Sequence, residues 1–121
     1  MTLIAYLHRL ANMQGSLTNL KAAVLKAISH PTRLQLLEIL SGGEKCVCEL
    51  VAEIGGGNPT ISKHLSILRN AGIVSDRREG VKIYYKLEVP CILNFMDCIT
   101  AVIRSKAERE LATLKQLGAG K

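Results

Sequence analysis

Two cysteines one residue apart, Cys46 and Cys48, place a pair of soft thiols close together in the chain. About ten residues further on stands Asn58-Pro59-Thr60-Ile61-Ser62-Lys63-His64-Leu65-Ser66-Ile67-Leu68-Arg69. Thiolates are ligands for soft ions and are also readily oxidised, in pairs, to a bridge. The second stretch has the apolar spacing of a short helix with hydroxyl and basic side chains on its other faces, the pattern of a DNA-recognition helix. So short a separation lets a ligand event and a DNA event share one lever.

Cys91 and Cys98 are the other two cysteines. Seven residues apart, they fall on nearly the same face of a helix but about 10 Å apart along its axis. One ion can be held by both only if the helix end unwinds, whereas antiparallel pairing of two such helices would bring Cys98 near its mate. Packing beside Phe95 and Val102 is the competing reading. In a reducing cytosol all four are expected to be thiols, ligands or redox sensors rather than structural disulfides.

The elements that must position these groups are mostly helical. Helices are expected over about Thr2 to Met13, broken at Gly15-Ser16, and over Leu17 to Ile28, with Ser16 or Thr18 as a cap. Another begins with Pro31 in its first turn and runs through Leu34, Leu37 and Leu40 to Ser41-Gly42-Gly43. From Cys46 to Ile54 the residues Val47, Leu50, Val51 and Ile54 line one helical face, and Gly55-Gly56-Gly57 stops it. Asn58 then suits a cap and Pro59 a first helical position, with Ile61, Leu65 and Leu68 as the buried stripe of a helix ending near Ala71-Gly72. Two short helices around a glycine turn make a helix-turn-helix.

After Gly72 the period changes to that of strands, Ile73 to Arg78 and Val81 to Leu87, around a turn at Glu79-Gly80. Such a hairpin, with Arg77, Arg78 and Lys82 near its tip, would make a wing against the DNA backbone. A last helix runs from about Pro90 to Leu117, ahead of a fraying tail. Its two stripes, Cys91, Phe95, Cys98, Val102 and Ile92, Met96, Ile99, Ile103, are wide enough to pack on the domain and on a second helix, which suits a dimerisation element.

Composition agrees. The chain has 121 residues, 48% hydrophobic but only 3% aromatic, which fits one domain with an aliphatic core. Net charge is +6, and residues 58 to 86 carry six basic side chains (Lys63, Arg69, Arg77, Arg78, Lys82, Lys86) against Asp76 and Glu79, so the basic surface is concentrated in the expected DNA-binding third. The opening residues lack the pattern of a signal peptide, and no run approaches the roughly 18 apolar residues of a membrane span, so a cytoplasmic chain is expected.

Five strings in register, Ser29-His30-Pro31-Thr32-Arg33-Leu34, Lys45-Cys46-Val47-Cys48-Glu49-Leu50, Ile61-Ser62-Lys63-His64-Leu65, Leu68-Arg69-Asn70-Ala71-Gly72-Ile73 and Gly80-Val81-Lys82-Ile83-Tyr84-Tyr85, resemble the ArsR/SmtB family of metal-sensing repressors over roughly residues 17 to 105. That resemblance implies a mostly α winged helix-turn-helix with a β-hairpin wing, a homodimer through terminal helices that binds double-stranded operator DNA. It is a single domain over 1–121, with an N-terminal extension at 1–15, helix-turn-helix at 46–71, wing at 73–87 and dimerisation helix at 90–117. The Cys-Val-Cys pair looks like the inducer site of the arsenite-responsive and cadmium/lead-responsive branches. Thiolates at a helix start beside Lys45 gain from the positive end of the dipole and are expected to have lowered pKa values.

As(III) is the expected inducer, with Sb(III), Cd(II), Pb(II) and Zn(II) as alternatives. Metal ligands are then Cys46 and Cys48, joined less firmly by Cys91 and Cys98. Residues two apart on a regular helix point about 200° away from each other, so chelation by Cys46 and Cys48 would require a distorted first turn. Two departures from the family pattern stand out. Val51 occupies the place of a third cysteine in the arsenite branch, and no cysteine precedes residue 46 to act like the N-terminal ligands of the cadmium branch; where the zinc branch has its ligands the chain has Val89, Cys91, Val102 and Ser105.

For DNA the expected contacts are Asn58, Thr60, Ser62, Lys63 and His64 at the start of the recognition helix, Arg69 on the same helix, and Arg77, Arg78 and Lys82 on the wing. His64 serves equally as a helix-stabilising partner, and His30 reads as structural. The function expected is a repressor that leaves its operator when a thiophilic metalloid binds. A redox or persulfide sensor of the same fold is the rival. A thiol oxidoreductase is disfavoured, because no thioredoxin-like βαβ pattern surrounds the cysteines, and a DNA-binding protein without sensing is the plainest alternative.

Overall fold

The computed structural model describes residues 2–12 and 17–118. Its order is α1 (Leu3–Asn12), α2 (Leu17–Ile28), α3 (Pro31–Leu40), β1 (Lys45–Cys46), α4 (Val47–Ile54), α5 (Asn58–Asn70), β2 (Val74–Glu79), β3 (Lys82–Leu87) and α6 (Ile92–Gly118). The expected break at Gly15-Ser16, and Ser16 as a cap, lie outside the described residues, as do residues 119–121 of the tail. Residues up to Glu88 form one compact unit and those from Val89 another.

The first unit is built on aliphatic burial. Leu36, Leu37 and Leu40 from α3, Leu50 from α4 and Ile61, Leu65 and Leu68 from α5 are all 2% exposed or less. With Ile28, Ile73, Val74, Tyr85 and Leu87 they make the core against which both helices of the helix-turn-helix pack.

Helix α5 stops in a Schellman motif. The N–H of Ile73 donates to the carbonyl of Leu68 and that of Gly72 to Arg69, while Gly72 takes φ 82°, a conformation glycine adopts without steric cost. Leu68 and Ile73, both buried, supply the apolar contact that accompanies this cap.

The sheet has three strands in the order β1-β3-β2, all antiparallel. Strands β2 and β3 form the expected wing, joined by Gly80-Val81, with Gly80 at φ 62°; a two-residue hairpin loop demands this of its first residue. Strand β1 is a correction. Cys46 does not open a helix but pairs with Tyr84, and Lys45 pairs with Tyr85. Two residues are too few to show alternation, so this strand exists only because β3 offers it an edge. At the other helix start the cap is Gly57, not Asn58, and Pro59 is second in α5, where its missing N–H still costs nothing.

In the second unit, N–H groups of Ile92, Leu93 and Asn94 each donate to the carbonyl three residues back, so Cys91 precedes α6. This 27-residue helix spans about 40 Å. Phe95, Ile99, Val102, Ile103, Leu111, Leu114 and Leu117 all remain exposed along it. Among the described residues no helix is long and apolar enough to cross a membrane.

Leu65 is fully buried at the centre of the α5 stripe. Leu65→Ala is expected to cost about 2–5 kcal/mol, read as a lower urea midpoint at fixed protein concentration with an unchanged denaturant slope.

Candidate thiol site and nucleic-acid interface

Cys46 ends β1 and caps α4. Its backbone is extended, with φ −78° and ψ 159°. Its Sγ accepts from the Glu49 N–H at 3.3 Å, while Glu49 Oε1 accepts from the Cys46 N–H at 3.2 Å. This is a reciprocal capping box with sulfur in the place usually taken by a hydroxyl. Cys46 is 2% exposed, whereas Cys48, in the first turn of α4, is exposed.

The two sulfurs are joined as a disulfide, with Cα atoms 5.3 Å apart. Of the expected roles of thiol, ligand and redox sensor, a bridged pair corresponds to the last. It also removes the geometric obstacle to their meeting. Because the helix begins at Val47, Cys46 lies outside it, and no unwinding is required for its sulfur to reach that of Cys48.

The pair opens on a cleft of about 200 Å³ lined by Cys46, Val47, Cys48, Asn58, Ser62, Val81, Lys82 and Ile83. Three elements meet there: the start of α4, the first turns of α5 and the tip of the wing. Asn58, Ser62 and Lys82 are among the DNA contacts expected from the sequence, so one concavity holds both the sulfurs and part of the expected DNA surface.

The remaining expected contacts separate into two groups. Thr60, Lys63, Arg78 and Lys82 are exposed. Arg69, by contrast, donates to Asp76 Oδ2 at 2.9 Å. Arg77 is held by Glu44, with Nε 2.9 Å from Oε1, and by Glu79 at 2.7 Å, and its guanidinium stacks 4.5 Å from the Tyr84 ring centroid. These bonds raise the Arg77 pKa, and the Arg77 hydrogen bond holds the Glu44 carboxyl below its usual range. Arg77 thus ties the wing to the loop before β1.

His64 turns inward. Its ring lies 4.4 Å from that of His30, and Arg33 is 3.2 Å from its Nδ1. For Arg33 to donate, Nδ1 must be bare and the imidazole neutral, with its proton on Nε2. Burial first, then the electrostatic influence of His30, Arg33 and Lys63, lowers the His64 pKa. His30 accepts from the Thr32 N–H at 3.1 Å and caps α3, the structural part expected of it.

Sequence reasoning missed Glu44, Arg33 and Glu49. Glu49 was discoverable, since Cys46-x-x-Glu49 imitates the Ser/Thr-x-x-Glu capping signature. Glu44 and Arg33 meet their partners across 33 and 31 residues, which leaves no local trace. Cys91 and Cys98 are exposed free thiols of the second unit. Among the described residues no group of three or more His, Cys, Asp and Glu side chains is gathered around a common point that could hold an ion.

Two helices around a glycine turn, the second presenting hydroxyl and basic side chains beside a two-stranded wing, define a winged helix-turn-helix DNA-binding regulator rather than an enzyme. The family model "Bacterial regulatory protein, arsR family" matches residues 30–76. The transcriptional repressor SdpR of Bacillus subtilis is 44% identical over 81 residues, covering 61% of this chain and 90% of its own length. The arsenic resistance transcriptional regulator ArsR2 of Pseudomonas putida is 41% identical over 86 residues, covering 69% and 75%. Among solved structures, the homodimeric winged helix-turn-helix DNA-binding domain Mb0332 of Mycobacterium bovis superposes with a TM-score of 0.68 at 29% identity, covering 80% of this chain and 90% of that one. The chain belongs to the arsR family of bacterial regulatory proteins.

The His64 arrangement gives a pH dependence with a defined sign. The unfolded chain protonates this ring near pH 6.5 and the folded chain only at lower pH, so its contribution is complete above pH 6.5 and lost as pH falls through the folded value. The urea midpoint is expected to fall between pH 7 and pH 5, and His64→Gln, which keeps an acceptor for Arg33, to flatten that fall. Glu44, also with a lowered pKa, keeps its contribution above the ordinary carboxylate range and loses it as pH falls from there through its folded value, mostly below this window.

Proposed function

We propose that this arsR-family regulator is a homodimeric, cytoplasmic repressor that holds operator DNA through α5 and the wing and releases it when As(III) binds the reduced Cys46 and Cys48. The observation that carries this reading is the shared cleft: the sulfurs line it together with Asn58, Ser62 and Lys82. Once reduced, the two sulfurs would hold As(III) through two As–S bonds, each thiol giving its proton to a departing hydroxyl as water.

Two sulfurs supply two of the three bonds As(III) or Sb(III) forms, but only half of the four ligands usual for Zn(II). That favours the metalloids over Zn(II). As(III) held between the two sulfurs would set them further apart than the direct bridge does and turn the Cys46 sulfur away from the Glu49 N–H it accepts from, so the start of α4 would loosen beside the first turns of α5. The exposed apolar row of α6 suits pairing with a second copy, and Cys91 and Cys98 would then be ligands or seam residues of that pairing.

Anisotropy of the reduced protein on its own upstream DNA tests the reading. Arsenite is expected to release wild type and the Cys91→Ser/Cys98→Ser variant, and not Cys46→Ser/Cys48→Ser. Release by Cd(II) and not by arsenite would replace the inducer, and arsenite release of the Cys46→Ser/Cys48→Ser variant would remove the site.

Base contacts are assigned to Asn58, Thr60, Ser62 and Lys63, and phosphate contacts to Arg78 and Lys82. Arg69 and Arg77, engaged with carboxylates, serve DNA by shaping helix and wing, and His64 by fixing α5 on α3. Arg78→Ala or Lys82→Ala is expected to reduce the salt slope of log K by about 1 per subunit. Arg77→Ala is expected to change it less, a ranking that titrations at four or five salt concentrations resolve.

A further inference from the structure

We propose that Cys46 and Cys48 form a thiol–disulfide switch closed by small-molecule disulfides of the glutathione class, with Cys48 as the attacking sulfur and Cys46 as the resolving one. Three observations carry it. The sulfurs are already within bonding reach, because Cys46 stands on extended backbone before α4 and Cys48 within its first turn. Their access is unequal: Cys46 is 2% exposed, and Cys48 is exposed. The cleft beside them has room for a tripeptide thiol's reactive end and presents the cationic Lys82 to its carboxylates.

Exchange proceeds by thiolate attack on a disulfide sulfur, so the reachable thiol reacts first. Position favours Cys48, since it sits in the first turn of α4, where the helix dipole stabilises a thiolate. The Cys48 thiolate attacks one sulfur of the external disulfide, forming a Cys48 mixed disulfide and releasing one small thiolate, which takes up the proton Cys48 lost. Cys46, shielded from the external reagent, has one sulfur in reach. After losing its own proton it attacks Cys48 Sγ, forming the Cys46–Cys48 bond and expelling the second small thiolate, which is protonated in turn. Two protein thiols and one disulfide become one protein disulfide and two small thiols, with two electrons passed from protein to reagent.

Closure uses up the one covalent bond of each sulfur that the proposed function assigns to As(III), so bridge and metalloid exclude each other; the exchange chemistry itself stands without that reading. The fold tolerates the closed state, since the Cys46 sulfur still accepts from the Glu49 N–H while bridged.

The test uses neither arsenite nor DNA. Reduced full-length protein is exposed to glutathione disulfide, quenched by alkylation at intervals and cut after lysine and arginine. Cys46 and Cys48 then share the peptide 46–63, separate from Cys91 and Cys98 on 87–104. Wild type is expected to lose two hydrogens in peptide 46–63 with no retained adduct. Cys46→Ser should accumulate one glutathione on Cys48, roughly tenfold or more faster than Cys48→Ser does on Cys46. Equal rates in the two variants overturn the assigned order, and a stable adduct on wild-type peptide 46–63 overturns the switch. Circular dichroism of each variant shows that the comparison is between folded proteins.

Discussion

A residue that ends a strand and caps a helix cannot shift without disturbing both, and Cys46 is such a residue. Its pairing with Tyr84 fixes it to β3, the inner strand of the wing. Its sulfur and backbone N–H close the capping box that starts α4. The orphan N–H groups of a helix start must find acceptors, and here one acceptor is the very atom whose chemistry is most easily changed. Everything downstream inherits this: α4 packs on α5, α5 carries the hydroxyl and basic side chains, and the wing tip returns to the same cleft.

The charged groups around that hinge hold the frame still. Arg77 joins the wing to Glu44 immediately before β1, and Arg69 joins α5 to β2 through Asp76. Exposed ion pairs of this kind contribute little to stability, typically 0–1 kcal/mol, so their value lies in geometry. They join the wing to the loop before β1 and to α5. The His30–Arg33–His64 group does the same on the other side, where α5 meets α3, and it does so only while His64 is neutral. The basic residues of α5 and the wing thus divide into those paired with carboxylates, Arg69 and Arg77, and those left exposed, Lys63, Arg78 and Lys82.

The division explains what could be read from the sequence and what could not. Helix α5 and the wing were legible because their signals are local: Ile61, Leu65 and Leu68 at helical spacing, Gly72 as a stop, and a β-rich pair of runs around Gly80. Family resemblance placed Cys46 and Cys48 at the start of α4 to within one residue. That residue mattered, since it decided whether the two sulfurs diverge on a helix or meet across its cap. The two-residue β1, the Glu44–Arg77 pair and the His64–Arg33 contact were not legible, because each depends on a partner more than thirty residues away and carries no periodicity of its own. Charge counting therefore located the basic surface but could not tell which of its side chains are paired with carboxylates, as Arg69 and Arg77 are.

Magnitudes bear on whether so small a site can govern DNA binding. A ligand shifts a conformational equilibrium only by its differential affinity for the two states. Losing an N-cap contributes about 0.5–2 kcal/mol, and the proposed homodimer has two such caps, giving about 1–4 kcal/mol if both act together. Allosteric couplings typically amount to about 1–3 kcal/mol, or a 5- to 150-fold change in affinity. The cap at Cys46 alone is therefore of the right size, without a large rearrangement of the core. Disturbing a buried Leu36, Leu37 or Leu65 would cost about 2–5 kcal/mol each, as much as or more than that whole range, so a helix start is a less costly place for the lever than the packed layer.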